Sequence, residues 1–360
     1  MTKKFVTSPQ IDVTKGLELG IYTLGDHMPN PHTQQLISPQ QRLNEIKEMA
    51  VLAEQAGLDI FALGESHQEH FISQAHSIIL ANIAAATHRI KLSSSATMLS
   101  TSDPVRVFED FSTLDLLSGG RIELVAGRAS RVGLFDLLGY DLADYDALFE
   151  EKFDLLLKIN QEETINWHGQ FRKPLSEAHI LPRPQKEHLP IWRAVGGTST
   201  SAINAGRAGV PLYLAHLGGP ASSFKPTLDY YRQAGEQVGF KQEELLVATG
   251  GFFYASENSQ DAFKEYYPHV NQGLTLANGQ GFPKPAFAHG KEKESIINVG
   301  SPQQIIEKIL YQHEVFNNQR YIAQLDFGGV PFDKIMKNIE ILGEKIVPAI
   351  KKYTKKEVTP

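Results

Sequence analysis

Eight apolar strand candidates, each followed by a helix or by a loop and a helix, recur along the 360 residues, and no other feature constrains the fold as much. Residues 17–24 (LELGIYTL) read as a strand. Helical spacing of Leu43, Ile46, Met49, Ala50 and Ala53 follows over 39–57, opened by Ser38-Pro39 and closed by Gly57. Strands at 58–63 and 89–95 flank a helix at 75–88. Asp103-Pro104 opens the next helix, Gly119-Gly120 ends it, and RIELVAG (121–127) is the fourth strand. After a helix at 144–161, residues 162–189 lose periodicity and read as an excursion with the character of a hairpin. Strands at 191–196, 211–217, 245–254 and 319–328 then alternate with helices at 199–208, 222–238, 256–267, 302–315 and 332–352. Such alternation implies parallel strands joined by right-handed crossovers, and eight units favour a closed (β/α)8 barrel over an open sheet. The expectation is one α/β barrel domain over 1–360, with a long loop near 268–300, where glycine and proline punctuate the chain.

Composition narrows the function. Lys and Arg number 35 against 41 Asp and Glu, a net charge of −6, so nothing electrostatic favours nucleic acid or an acidic membrane. No apolar run approaches the ~20 residues that span a bilayer, and the opening MTKKFVTSPQ has no apolar core of a secretory signal. The absence of cysteine removes disulfides, thiolate metal sites and a cysteine nucleophile. These features predict a cytoplasmic enzyme.

Barrel enzymes carry their chemistry at the C-terminal ends of the strands. Four segments fall there. GESHQEHF places Glu65, His67, Glu69 and His70 within six residues; they suit the lining of an active site, a metal or a solvated loop. SSSATMLS (93–100) offers small residues that let a flat ligand approach the backbone, or a tightly packed strand end. Arg128 in AGRAS suits an anion through forked hydrogen bonds, or a structural ion pair. GGTSTSAINAG (196–206) combines two glycines with four hydroxyl residues before a helix, which suits phosphate, or simple capping by Ser199. His216 and His27 end two other strands and could line the same pocket, while Trp167 and Trp192 read as packing residues. A barrel with a phosphate site and a small-residue shelf implies a phosphorylated cofactor or substrate.

The motifs AGLDIFALGESH, ATHRIKLSSSATMLSTSDPVRVFEDFSTLDLLSGGRIELVAGRAS, PIWRAVGGTSTSAINAGRAGVP and NVGSPQQIIEKI resemble the bacterial-luciferase-like family of flavin-dependent monooxygenases over roughly 17–350. The resemblance implies reduced FMN as the oxygen-activating cofactor, a small organic substrate, a flavin reductase as supplier and a homodimer paired through helices near the early strands. By matched position, Ser95-Ala96 is the family's non-prolyl cis peptide beneath the isoalloxazine, and Gly127 lies near the reactive ring carbon. Arg128, Thr198 and Ser201 are the implied phosphate ligands within the segment Gly196, Gly197, Thr198, Ser199 and Ser201. No metal is implied.

One departure stands out. Where the family pattern reads Glu-His-His, this chain reads Glu65-Ser66-His67, and the first histidine of the pair is catalytic in luciferases. Serine cannot serve as a base near pH 7, so His67 becomes the catalytic candidate. The departure puts light emission and efficient monooxygenation in doubt, but not flavin binding. Rival readings are a deazaflavin-dependent hydride-transfer enzyme, a non-catalytic flavin-binding protein and a metal-dependent barrel hydrolase.

Overall fold

The computed structural model describes residues 9, 11–128, 133–196 and 198–356. Eight parallel strands close into a barrel: β1 (Glu18–Thr23), β2 (Ile60–Leu63), β3 (Lys91–Ser94), β4 (Ile122–Gly127), β5 (Ile191–Val195), β6 (Leu212–Ala215), β7 (Val247–Ala255) and β8 (Arg320–Gln324). Each pairs with the next in sequence, and β8 returns to β1 through registers such as Glu18 with Arg320 and Tyr22 with Gln324. This is the (β/α)8 architecture that the alternation implies.

The helices that wrap the barrel are α1 (Pro39–Gln55), α2 (His76–Ala86), α3 (Pro104–Ser118), α4 (Tyr145–Gln161), α5 (Ser199–Ala208), α6 (Lys225–Gln237), α7 (Ser259–Asn278), α8 (Pro302–Phe316) and α9 (Phe332–Ile341). Their starts follow local chemistry. Ser38 Oγ accepts from the Gln41 amide at 3.2 Å, and Asp103 accepts from Val105 at 2.8 Å; each precedes a proline whose missing N–H costs nothing at that position. The inward faces of the helices and the outward faces of the strands form one apolar layer, with Leu19, Ile21, Phe61, Leu63 and Leu92 against Ile46, Met49, Leu80 and Ile83. Burying each such side chain contributes roughly 1.5–3 kcal/mol.

The excursion is an antiparallel hairpin of Thr164–Trp167 with Leu175–His179. The long loop expected over 268–300 is corrected. Helix α7 runs through Pro268 to Asn278, a short helix follows at Lys284–Ala288, and Asn298–Gly300 adds a strand against β7. Pro268 looks like a breaker, but it removes only one backbone hydrogen bond, and Tyr266, Val270 and Leu274 continue a buried stripe across it.

The barrel interior is layered by charge. At the N-terminal end, the buried Arg320 guanidinium bonds Glu18 at 2.7 Å and Glu123 at 3.0 Å, and Glu123 also accepts from Trp192 Nε1 at 2.8 Å. Arg320 lies 4.9 Å over the Trp192 ring, so that tryptophan packs as expected. This charged plug closes the bottom and leaves the upper half open.

Candidate active site

Above the plug, at the C-terminal ends of the strands, lies a cavity of about 580 Å³, within the range of pockets that hold organic cofactors. Its floor is Tyr22, Tyr213 and Gln324; its walls include Leu24, Phe71, Leu134 and Phe224.

One side is a shelf of small residues. The Ser95–Ala96 peptide is cis, at the position the sequence implies. Gly127, at the end of the adjacent β4, faces it: a Cβ there would stand 2.7 Å from Ala96 Cβ and 3.5 Å from Ala194 Cβ. Only glycine leaves this surface flat.

Beside the shelf, the turn after β2 presents a hydrogen-bonded pair. The Glu65 amide donates to Ala96 O at 3.1 Å, which ties this turn to the shelf. Glu65 Oε1 lies 2.7 Å from His67 Nε2, and Oε2 accepts from the Met98 amide at 2.7 Å. His76 Nδ1 stands 3.6 Å from the same Oε2, while its Nε2 is 2.9 Å from Thr97 Oγ1. Burial raises the Glu65 carboxyl, but the His67 bond, the His76 ring and the Met98 amide together hold it below the usual carboxylate range. Glu65 is therefore ionised, and His67 Nε2–H donates to it. Ser66 lines the cavity between them. Of the remaining residues in that motif, Glu69 is exposed and neither it nor His70 lines the cavity; the His70 carbonyl accepts from the His27 amide at 2.6 Å. His27 bonds the Ile37 carbonyl at 2.6 Å and lines a separate small pocket. No group of three or more His, Asp or Glu among the described residues converges as a metal would require.

Arg128 lies at the cavity edge, its guanidinium paired with Asp146 and 5.1 Å over the Phe149 ring. It is thus both a rim cation and an ion-pair partner. The next strand, β5, leads to Gly196 and to α5, whose N-cap is Thr198 rather than Ser199. Thr198 and Ser199 are exposed, and the Thr198 hydroxyl makes no capping bond. Ser201 is buried, its Oγ accepting from Arg193 Nε at 3.2 Å, with Arg193 paired in turn to Glu150. Gly197 lies outside the described residues. The structure brings Glu65, Ser66, His67, Ser95, Ala96, Gly127, Arg128 and His216 onto one cavity; Gly196, Thr198, Ser199 and Ser201 do not line it.

Three contributors went unread in the sequence: His76 behind Glu65, and Tyr22 and Gln324 on the floor, where Tyr22 Oη donates to Gln324 Oε1 at 3.0 Å. The period-2 alternation of strands points Tyr22 and Gln324 inward, a signal that apolar periodicity alone passes over.

The family model for luciferase-like monooxygenases matches residues 17–318. The monooxygenase RslO1 from Streptomyces bottropensis has the same fold, with a TM-score of 0.79 and 24% identity over 92% of this chain and 99% of that one. The oxygenating constituent of 3,6-diketocamphane monooxygenase from Pseudomonas putida, a type II Baeyer–Villiger enzyme solved with FMN, superposes with a TM-score of 0.75 at 17% identity, covering 92% and 98%. The F420-dependent glucose-6-phosphate dehydrogenase of Amycolatopsis mediterranei is 26% identical over 46% of this chain and 51% of its own. With the family model spanning most of the barrel and the cavity at its top, the chain belongs to the luciferase-like monooxygenase family.

Proposed function

We propose that the protein is a monooxygenase that uses reduced FMN and oxygen on a small organic substrate. The observation that carries this reading is one cavity lined by a flat shelf of Ser95, Ala96 and Gly127 and, beside it, the ionised Glu65 and its partner His67. A planar ring fits against the shelf because no side chain rises from it. Arg128 and the N-terminus of α5, with the Thr198 and Ser199 hydroxyls, would hold the phosphate, since amide dipoles and a guanidinium both favour an anion. Ser201 would act behind them, through Arg193. The diketocamphane enzyme's FMN supports the choice of cofactor; the F420-dependent relative marks the competing one, a deazaflavin hydride transferase.

Bound reduced flavin would supply the oxygen-activating chemistry; the protein supplies orientation and electrostatics. Glu65 fixes the His67 tautomer by accepting from Nε2, which leaves Nδ1 to exchange a proton with reacting atoms. Leu24, Phe71, Leu134 and Phe224 exclude water. A flavin reductase would deliver reduced FMN in the cytoplasm. The barrels would pair as a homodimer through α2 and α3: α2 is rich in apolar residues, with Ile78 70% exposed, and Leu117 on α3 is 64% exposed.

Anaerobic reconstitution with reduced FMN or reduced F420, followed by mixing with oxygen, tests the reading. Oxygen consumption coupled to flavin reoxidation with altered transient spectra is expected for FMN alone. Spectral change with F420 only would overturn it.

A further inference from the structure

His76 opens α2, and its ring is buried beside the site without lining the cavity. Nδ1 stands 3.6 Å from Glu65 Oε2, and Nε2 stands 2.9 Å from Thr97 Oγ1. Thr97 follows the cis Ser95–Ala96 peptide and pairs with Ala126 of β4, while Met98 pairs with Gly127. The ring therefore bridges the turn after β2 and the segment that carries the shelf. Phe111 of α3 packs against it with a centroid 6.0 Å away.

Electrostatics fix the state of this ring. Burial lowers its pKa from 6.5; the Glu65 and Asp110 charges oppose that and His67 adds to it, so the ring is neutral near pH 7. A neutral imidazole has one N–H and one bare nitrogen. A bare Nδ1 would aim its lone pair at a carboxylate. With the proton on Nδ1, the N–H dipole faces Glu65, and Nε2 accepts from the Thr97 hydroxyl. A separation of 3.6 Å is too long for a full hydrogen bond, so Nδ1–H acts on the carboxylate through charge and dipole. Glu65 then has His67 Nε2–H on Oε1, and the Met98 amide and His76 Nδ1–H on Oε2. The last two act on the oxygen that His67 does not touch, which keeps the other one turned toward His67. The titratable groups acting on this pair are His76 from α2 and, on His76 in turn, Asp110 of α3, which accepts from Ser77 Oγ at 3.2 Å.

We propose that His76 is a positioning residue: it holds the Glu65 carboxylate in the orientation that fixes the His67 tautomer, and it ties that carboxylate to Thr97 beside the shelf. This rests on the reading that His67 exchanges a proton during oxygenation.

The first arm of the test uses flavin-free protein labelled with 15N in histidine. Long-range 1H–15N spectra at pH 7 are expected to show His76 with its proton on Nδ1 and His67 with its proton on Nε2. A His76 proton on Nε2 would overturn the proposal. His76→Phe keeps a ring in the slot and removes both nitrogens. It is expected to leave His67 as a mixture of tautomers. His76→Gln, whose amide can donate to Glu65 and accept from Thr97, should restore the single His67 form. In the second arm, saturating reduced FMN is mixed with oxygen. Reoxidation by His76→Phe should be about fivefold slower, with FMN affinity within about twofold of wild type. Its acid limb should lie at higher pH, because Glu65 without His76 ionises less readily. The Gln variant should recover most of both effects. An unchanged His67 tautomer in the Phe variant, an unmoved acid limb, a loss confined to FMN affinity, or equal damage by Phe and Gln would each overturn the proposal. If wild type binds no FMN, the flavin reading fails on its own, and the His76 and His67 tautomers in flavin-free protein still decide this inference.

Discussion

Glu65 Oε1 and His67 Nε2 stand 2.7 Å apart at the mouth of the turn after β2, and the other Glu65 oxygen is held by the Met98 amide at 2.7 Å. The carboxylate is anchored to the strand that carries the shelf, so the imidazole cannot drift relative to it. Replacing His67 by Ala is expected to lower substrate turnover about a hundredfold, the lower bound for removing a positioned proton-transfer group. Glu65→Gln should cost about tenfold, because the amide can still orient the ring but no longer stabilises a positive one. Ser66→Ala should change turnover far less, and none of the three should alter FMN affinity more than about threefold. Stopped-flow spectra of reduced flavin mixed with oxygen, with product yield, decide this. If His67→Ala turns over as wild type does, the pair is only cavity wall.

Arg128 and Asp146 form an ion pair at the cavity rim, and Asp146 is exposed. Arg128→Ala should weaken FMN by about 1.5–3 kcal/mol while leaving the circular dichroism spectrum unchanged. Asp146→Asn frees the guanidinium and should leave FMN affinity equal or higher. The opposite order, with Asp146→Asn the more damaging, would assign Arg128 to structure alone.

Asp26 is buried beside Asp326, and both share Arg42, whose guanidinium reaches Asp326 at 2.5 Å. Burial and then the neighbouring Asp326 charge push the Asp26 carboxyl up to about 7, against Arg42, which lowers it. A carboxyl whose folded pKa is raised stabilises the fold fully below its unfolded value of 3.8, and that stability is lost as pH rises through about 7. Relative to Asp26→Asn, wild type should therefore lose stability between pH 4 and pH 7 in denaturant titrations. Parallel pH profiles for the two proteins would refute the raised Asp26 carboxyl.

The alternation of strand and helix made the barrel legible, and strand ends made the site legible, because backbone periodicity and loop position are local properties. The small-residue shelf was legible from SSSATMLS itself, whereas the cis Ser95–Ala96 peptide and the part of Gly127 were accessible only through family resemblance. What stayed hidden is tertiary. The Arg320, Glu18 and Glu123 plug unites β1, β4 and β8, and no local pattern pairs residues 302 positions apart in sequence. Pro268 misled for the complementary reason: a local breaker signal yields where neighbouring turns are buried. Of the two readings of Arg128 open from sequence, the structure shows the ion pair, with Asp146, and places the residue at the cavity edge.

The outer faces of α2 and α3 expose Ile78 and Leu117, which the proposed homodimer would cover. Sedimentation should give a dimer at micromolar concentration, and a double variant, Ile78→Glu with Leu117→Glu, should sediment as a folded monomer. Persistence of the dimer in that variant would move the interface away from α2 and α3.

The shelf, Arg128 and the N-terminus of α5 are proposed to form one FMN site. Fluorescence titration of the protein with FMN and with riboflavin tests it directly, since the two share the ring and differ in the phosphate. FMN is expected to bind at least about tenfold more tightly, the equivalent of about 1.4 kcal/mol from charge-assisted contacts. Equal affinity for the two, or binding of neither, would contradict it.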